Sequence, residues 1–367
     1  MHRTRAGEAQ MKHEAYRRFA GTVTAIVVSV LGGRPVAAHH STAEYDASQY
    51  VESRGEVVSV LWRNPHVRFT VRDDSGQTWD IESADLTRLD RSGLPRDLLK
   101  VGDVVSFAGN PSTRTERRMY VTNLLVADGR EILLRGNVPI RWPNASAVGT
   151  DVTFARATPT ATTGGKFFGK VLVPTRDGRA PEWVRNPPLT PAAREGKAAY
   201  DEVVDDPVLG CISPGMPRVM LRSGPYAIRF IERGMDLVQQ NEWFEIDRLI
   251  HMDGREPPAT QPYTPLGYSV GHWDGDALVI TTTHIDWPYF ELYGLVGVPQ
   301  SRAMRIVERF TPRDDGATVQ YDFTATDPGA FTEPVTYENY VTFRHQPSLE
   351  FLPYDCIEED RKPRNAQ

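Results

Sequence analysis

The chain has 367 residues, with 42 Lys or Arg against 48 Asp or Glu and a net charge of −6. That length accommodates two ordinary domains, and the acidic balance lacks the basic footprint that phosphate binding requires, which argues against nucleic-acid partners. Its two cysteines, Cys211 and Cys356, lack the CxxC spacing of a zinc or redox motif.

The first predicted element is a secretory signal peptide over residues 1–38. Lys12, Arg17 and Arg18 precede an apolar run from Phe19 to Leu31, and Val36-Ala37-Ala38 supplies residues suited to a cleavage site. The run is shorter than the ~20 residues of a membrane span, and no later stretch approaches that length. The mature protein is therefore expected to be periplasmic or secreted, with no transmembrane segment. Without residues 1–38 the balance is 36 basic against 46 acidic residues, a charge of −10. In an oxidising compartment Cys211 and Cys356 are expected to pair, with two buried thiols as the alternative.

Residues 39–137 predict an OB-like β-barrel. Two-residue alternation marks strands at Gly55–Trp62, His66–Arg72 and Gln77–Glu82. Helical stretches follow at Ala84–Arg91 and Arg96–Lys100, then strands at Val104–Phe107 and Met119–Leu125. Three strands, a helix and two strands is the OB order. Residues 138–206 read as a Pro-, Gly- and Thr-rich connector with one short helix from Pro191, capped by Thr190. Residues 207–363 predict a larger antiparallel β-barrel, a lipocalin-like meander of hairpins, and 364–367 a tail. The fold class expected is thus all-β.

Two family resemblances accompany these patterns. His39-His40-Ser41, Asn64-Pro65-His66 and Val101-Gly102-Asp103 make the first unit resemble the bacterial family DUF6152. The second unit is similar to a widespread exported bacterial domain through Cys211-x-x-Pro214-Gly215-x-Pro217, Asp253-Gly254-Arg255, Gly271-His272-Trp273-Asp274-Gly275-Asp276, Glu308-Arg309-Phe310, Asp327-Pro328 and Cys356. Neither resemblance implies a mechanism.

Four constellations are candidates for chemistry. Cleavage after Ala38 would give His39 a free α-amine, which with its ring, His40 and His66 suits copper(II); a solvated chain start is the plainer account. Next, His272 and Asp276 flank an Asp274-Gly275 turn, where strand pairing would let an imidazole and a carboxylate meet for acid–base work. Adjacent Glu308 and Arg309 point to opposite faces, so one faces inward and needs a partner, for which Asp327 or Glu333 would serve. Finally, His284 to Tyr293 resembles neither helix nor strand, and reads either as an aromatic lid or as a plug under the barrel.

The function expected is binding of a small apolar or aromatic molecule in the C-terminal barrel. Trp273, Trp287 and Tyr289 would form its walls, and His272, Glu308 and Arg309 would orient the ligand. The alternative is a lyase, isomerase or hydrolase, with His272 or His284 as base and Asp276, Glu308 or Asp327 as acid or orienting group. A structural envelope protein is a third class. The sequence contains no P-loop, HExxH or GxGxxG motif.

Overall fold

The structure is a computed structural model that describes residues 44–135, 138–149, 167–176, 179–221 and 226–356. His39, His40 and residues 1–38 lie outside the described residues.

The N-terminal sheet contains β1 (Val51–Leu61), β2 (Arg68–Asp73), β3 (Thr78–Glu82), β4 (Val104–Pro111) and β5 (Arg118–Leu125), with helix α1 (Leu86–Arg91) after β3. β1 pairs with β2 and β4, β4 with β5, and a parallel β3–β5 contact closes five strands into the expected OB-like barrel. Closure requires a sharply coiled first strand. Gly55 permits it, since a Cβ there would lie 2.1 Å from the Arg72 carbonyl oxygen. Gly109 plays the same part against Tyr120, beside a bulge between β4 and β5. Val57, Phe69, Val71, Ile81, Phe107 and Val121 fill the interior.

Asp85 caps α1, accepting the Arg88 N–H at 2.8 Å. The second expected helix, Arg96–Lys100, is corrected to turns. Gly93 takes a φ of 72° and Pro95 follows, a combination that ends a helix instead of restarting one.

The stretch 138–206 does more than connect. After β6 (Arg130–Leu133), β7 (Ser146–Val148) extends the first sheet, and β8 (Leu172–Arg176) is a strand of the second barrel. Helices α2 (Pro191–Ala199), α3 (Glu202–Asp205) and α4 (Arg218–Leu221) follow. Thr190 caps α2 as expected, through Ala193 N–H at 3.1 Å.

The second barrel adds β9 (Ile228–Arg233), β10 (Asp236–Asn241), β11 (Ile246–His251), β12 (Tyr268–Asp274), β13 (Ala277–Thr283), β16 (Arg305–Arg313), β17 (Thr318–Thr326) and β18 (Val335–His345). With β8 these nine strands close in the order β10-β11-β12-β13-β16-β17-β18-β8-β9. All pairings are antiparallel except a short parallel contact of β11 with β12, across the long loop that joins them. Cys211 and Cys356 form a disulfide. Among the described residues no helix is long and apolar enough to cross a membrane.

Two local expectations are corrected. The β12–β13 turn centres on Gly275-Asp276, because Asp274 pairs with Ala277, and only Gly275 of the central pair takes a positive φ. Residues 284–293 do not form a lid. Part of the stretch is β14 (Tyr289–Leu292), which pairs with β15 (Leu295–Pro299) and buries Phe290 and Leu292 in the core.

The barrel interior is aromatic, with Phe167, Phe230, Phe310, Tyr321 and Phe343 in mutual ring contact. It also holds a polar knot. Glu308, fully buried on β16, pairs with Arg248 on β11 and accepts the Tyr321 hydroxyl at 3.0 Å. Arg248 also donates to Gln239 (2.9 Å), Ser269 (3.0 Å) and Thr282 (2.6 Å). Every partner of the ion pair is thereby matched, the condition for a buried charge to persist. Removing one partner is the damaging change. Glu308→Leu is expected to cost roughly 3–5 kcal/mol in chemical denaturation, and the double variant Arg248→Met/Glu308→Leu distinctly less.

A carboxylate-oriented histidine in the N-terminal barrel

His66 sits in the β1–β2 loop, directly after Asn64-Pro65. The Asn64 side chain accepts the Leu86 N–H at 2.9 Å and so ties this loop to α1. The imidazole is largely buried, and its Nδ1 lies 3.0 Å from Glu82 Oε1, at ion-pair distance without hydrogen-bond geometry. The other Glu82 oxygen accepts the Tyr45 hydroxyl at 2.9 Å and an Arg118 N–H at 3.0 Å. Arg118 also lies 3.5 Å from Glu44, whose second oxygen accepts the Ser112 hydroxyl.

One carboxylate thus joins the loop histidine to the chain segment that enters the barrel. Burial, and then the Glu82 charge, holds the Tyr45 phenol well above its ordinary range, so it stays a donor. On the far side, burial pushes the Asp85 carboxyl up against the opposing pull of the Arg88 N–H, the Arg88 charge and the His66 imidazole. No hydrogen bond to His66 Nε2 occurs among the described residues.

The other expected residues do not converge. His272 on β12 is exposed, paired with Val279 across the strands, and Asp276 is exposed in the turn, so the two form no dyad. The reason is the turn correction above, which moves Asp276 out of the ladder. Glu308 faces the barrel interior, whereas Arg309 faces out and pairs with Asp274 at 2.7 Å. Asp327 is buried but occupied, accepting Ser301 N–H and Oγ–H at 2.6 Å each and Gly329 N–H at 2.9 Å. The inward charge pair forms with Arg248 in place of Asp327 or Glu333.

The remaining site candidates are equally dispersed. His284, with a φ of 57°, meets Tyr263 in a tilted ring contact at 5.0 Å. Trp273 packs on Phe168, and Tyr289 meets Tyr200 edge-on at 4.8 Å. Trp287 is buried above Gly215, where a Cβ would lie 2.8 Å from the indole.

Residues 26–119 match the family of unknown function DUF6152. The N-terminal unit therefore resembles that family, and the matched stretch takes in His39, His40, Glu44, Tyr45, His66, Glu82 and Arg118. The whole carboxylate-centred cluster falls inside the DUF6152 match. No curated protein matches the chain. Among the described residues no group of three or more His, Cys, Asp or Glu side chains is arranged to hold a metal ion.

Several functional-looking groups escaped the sequence reading. His251 Nδ1 lies 3.2 Å from Asp236, which Arg255 of the Asp253-Gly254-Arg255 mark also grips at 3.1 Å. Asp236 begins β10 and His251 ends β11, and only their antiparallel pairing brings the two together. Arg218 is completely buried, clamped by both oxygens of Asp206 (2.7 and 2.8 Å) and by Glu291. Beside this clamp, burial and the charges of Asp206 and Glu291 push the Glu202 carboxyl up to about 8.

The folded protein therefore keeps a proton on Glu202 that the unfolded chain, at its ordinary 4.5, releases. Stability from this group is complete below the unfolded value and is lost as pH rises through about 8. Glu202→Gln should thus be more stable than the parent at pH 9, by roughly 1–3 kcal/mol. The gain should shrink toward pH 5, as read by urea denaturation across that range.

Proposed function

We propose that the protein is exported and that its N-terminal barrel binds a copper ion through His66 together with His39 and His40. The observation that carries this reading is the shared carboxylate, since Glu82 lies against His66 Nδ1 and accepts the Tyr45 hydroxyl. Tyr45 follows His40 by five residues, and an extended chain covers at most about 3.6 Å per residue. His40 is therefore tethered within about 18 Å of the Tyr45 backbone, and His39 within about 22 Å.

Removal of residues 1–38 would give His39 a free α-amine. That amine, the His39 ring and His66 Nε2 would offer three nitrogens, with His40 beside them, and copper(II) favours such donors in tetragonal geometry. A carboxylate beside the opposite ring nitrogen is the usual outer partner of a metal-bound imidazole. In this reading Glu82 places its charge beside the imidazole, while Tyr45 and Arg118 hold Glu82.

Copper titration with electron paramagnetic resonance on protein lacking residues 1–38 tests this directly. His66→Ala should weaken binding at least roughly tenfold and remove one nitrogen from the spectrum, and Glu82→Gln should weaken it by about 10–100-fold. An affinity indifferent to His66→Ala would end the reading, as would a mature N-terminus that mass spectrometry finds several residues from His39.

A second reading, binding of a small and partly apolar molecule, has its own support. A cleft of about 410 Å3 opens between the end of α1 and the segment after β18, lined by Arg91, Gly93, Leu349, Glu350 and Leu352 among others. Its size suits a small ligand, and its lining mixes apolar walls with a few polar groups. A thermal-shift screen of small aromatic compounds, repeated on Leu349→Trp, tests it: hits that persist with the cleft filled would dismiss the location.

A further inference from the structure

The segment after β18 runs between the two barrels and touches both. Leu352 donates its N–H to Glu242 at 2.7 Å, and the Glu350 carbonyl accepts Arg91 at 3.4 Å. Tyr354 packs on Phe244 at 4.4 Å and receives the Trp243 indole N–H at 3.3 Å. Next, the Asp355 carbonyl accepts the Asn64 N–H at 3.0 Å, and Cys356 forms a one-residue bridge with Asn64.

That bridge is the only ladder contact of this segment among the described residues. A single bridge with no strand behind it opens easily unless something else holds it. Leu352 and Tyr354 anchor the preceding residues, and at the bridge itself the holder is covalent. Cys356 is bonded to Cys211, which ends the turn after α3 in the second unit. Asn64, the partner in the bridge, begins the Asn64-Pro65-His66 loop.

We infer that the Cys211–Cys356 disulfide is a redox latch that keeps residues 355–356 docked on the His66 loop. A dithiol reductant opens it by exchange. One thiolate attacks a protein sulfur to give a mixed disulfide, and the second thiol then displaces the protein thiolate. Two electrons and two protons end on the Cys211 and Cys356 thiols, and the reductant leaves as its own disulfide. Residues 355–356 then release the Asn64 N–H, and the loop that presents the imidazole keeps the tie of the Asn64 side chain to Leu86 but loses this second brace. The consequence for copper rests on the function proposed above; the latch does not.

Amide hydrogen exchange distinguishes the outcomes. In the Cys211→Ser/Cys356→Ser double variant, and in wild type treated with dithiothreitol, exchange at Asn64 should quicken at least tenfold. Val67, whose N–H is bonded to the Ala84 carbonyl within the first barrel, should change less than twofold. Unaltered exchange at Asn64 would overturn the latch. Equal acceleration at Val67 would overturn it too, because it would report unfolding of the barrel.

Copper affinity is best compared between wild type and the double serine variant, since free thiols would bind the metal themselves. An affinity at least threefold weaker in the variant is expected if the loop depends on its brace. If neither protein binds copper, the metal reading fails while the Asn64 result still judges the latch.

Discussion

Glu242 is the residue on which the relation of the two barrels depends. Its carboxylate is completely buried and accepts from three directions. Arg91 reaches it from α1 of the first barrel, the Ala227 N–H from the chain entering β9, and the Leu352 N–H from the segment after β18. A desolvated carboxylate is tolerable only when its lone pairs are matched, so the three elements are obliged to meet at this point. The apolar cores of the barrels are otherwise separate clusters. Their junction is polar, with an exposed Arg114–Asp201 pair and the Asn64 N–H bonded to the Asp355 carbonyl.

The same logic recurs at three further points. Glu308 with Arg248 in the second barrel, Arg218 with Asp206 and Glu291 beside α4, and Glu82 with Arg118 and Tyr45 in the first are all buried charges in matched networks. Three of the four networks satisfy their carboxylates with arginine, backbone and tyrosine hydroxyl donors and have a structural character. Glu82 differs in kind. Its remaining oxygen lies 3.0 Å from an imidazole nitrogen instead of meeting an arginine or backbone donor. This asymmetry separates a candidate site from a staple.

Much of the architecture was legible in the chain. The expected strands Gly55–Trp62, His66–Arg72 and Met119–Leu125 fall on β1, β2 and β5, because their side chains alternate between the two faces. The order of three strands, a helix and two strands announced the first barrel, and two cysteines in the second half announced their bond. Glu308 and Arg309 had to face opposite ways, and they do. The partner of Glu308 was less visible, although Ile246-x-Arg248-x-Ile250 carried a signal: an arginine between two inward isoleucines must itself face inward.

Local pattern thus determined which residues are strands, which faces are buried and where the chain turns, because those follow from side-chain alternation and from backbone preferences over a few residues. Only the tertiary structure decided which charges meet. Glu82 and His66, Asp236 and His251, Arg248 and Glu308, and Arg91 and Glu242 are brought together by strand register and barrel closure, from separations of up to 151 positions along the chain. A buried charge states in the sequence that it needs a partner. Which partner it finds depends on the closure of the whole sheet, a property that no short stretch of residues encodes.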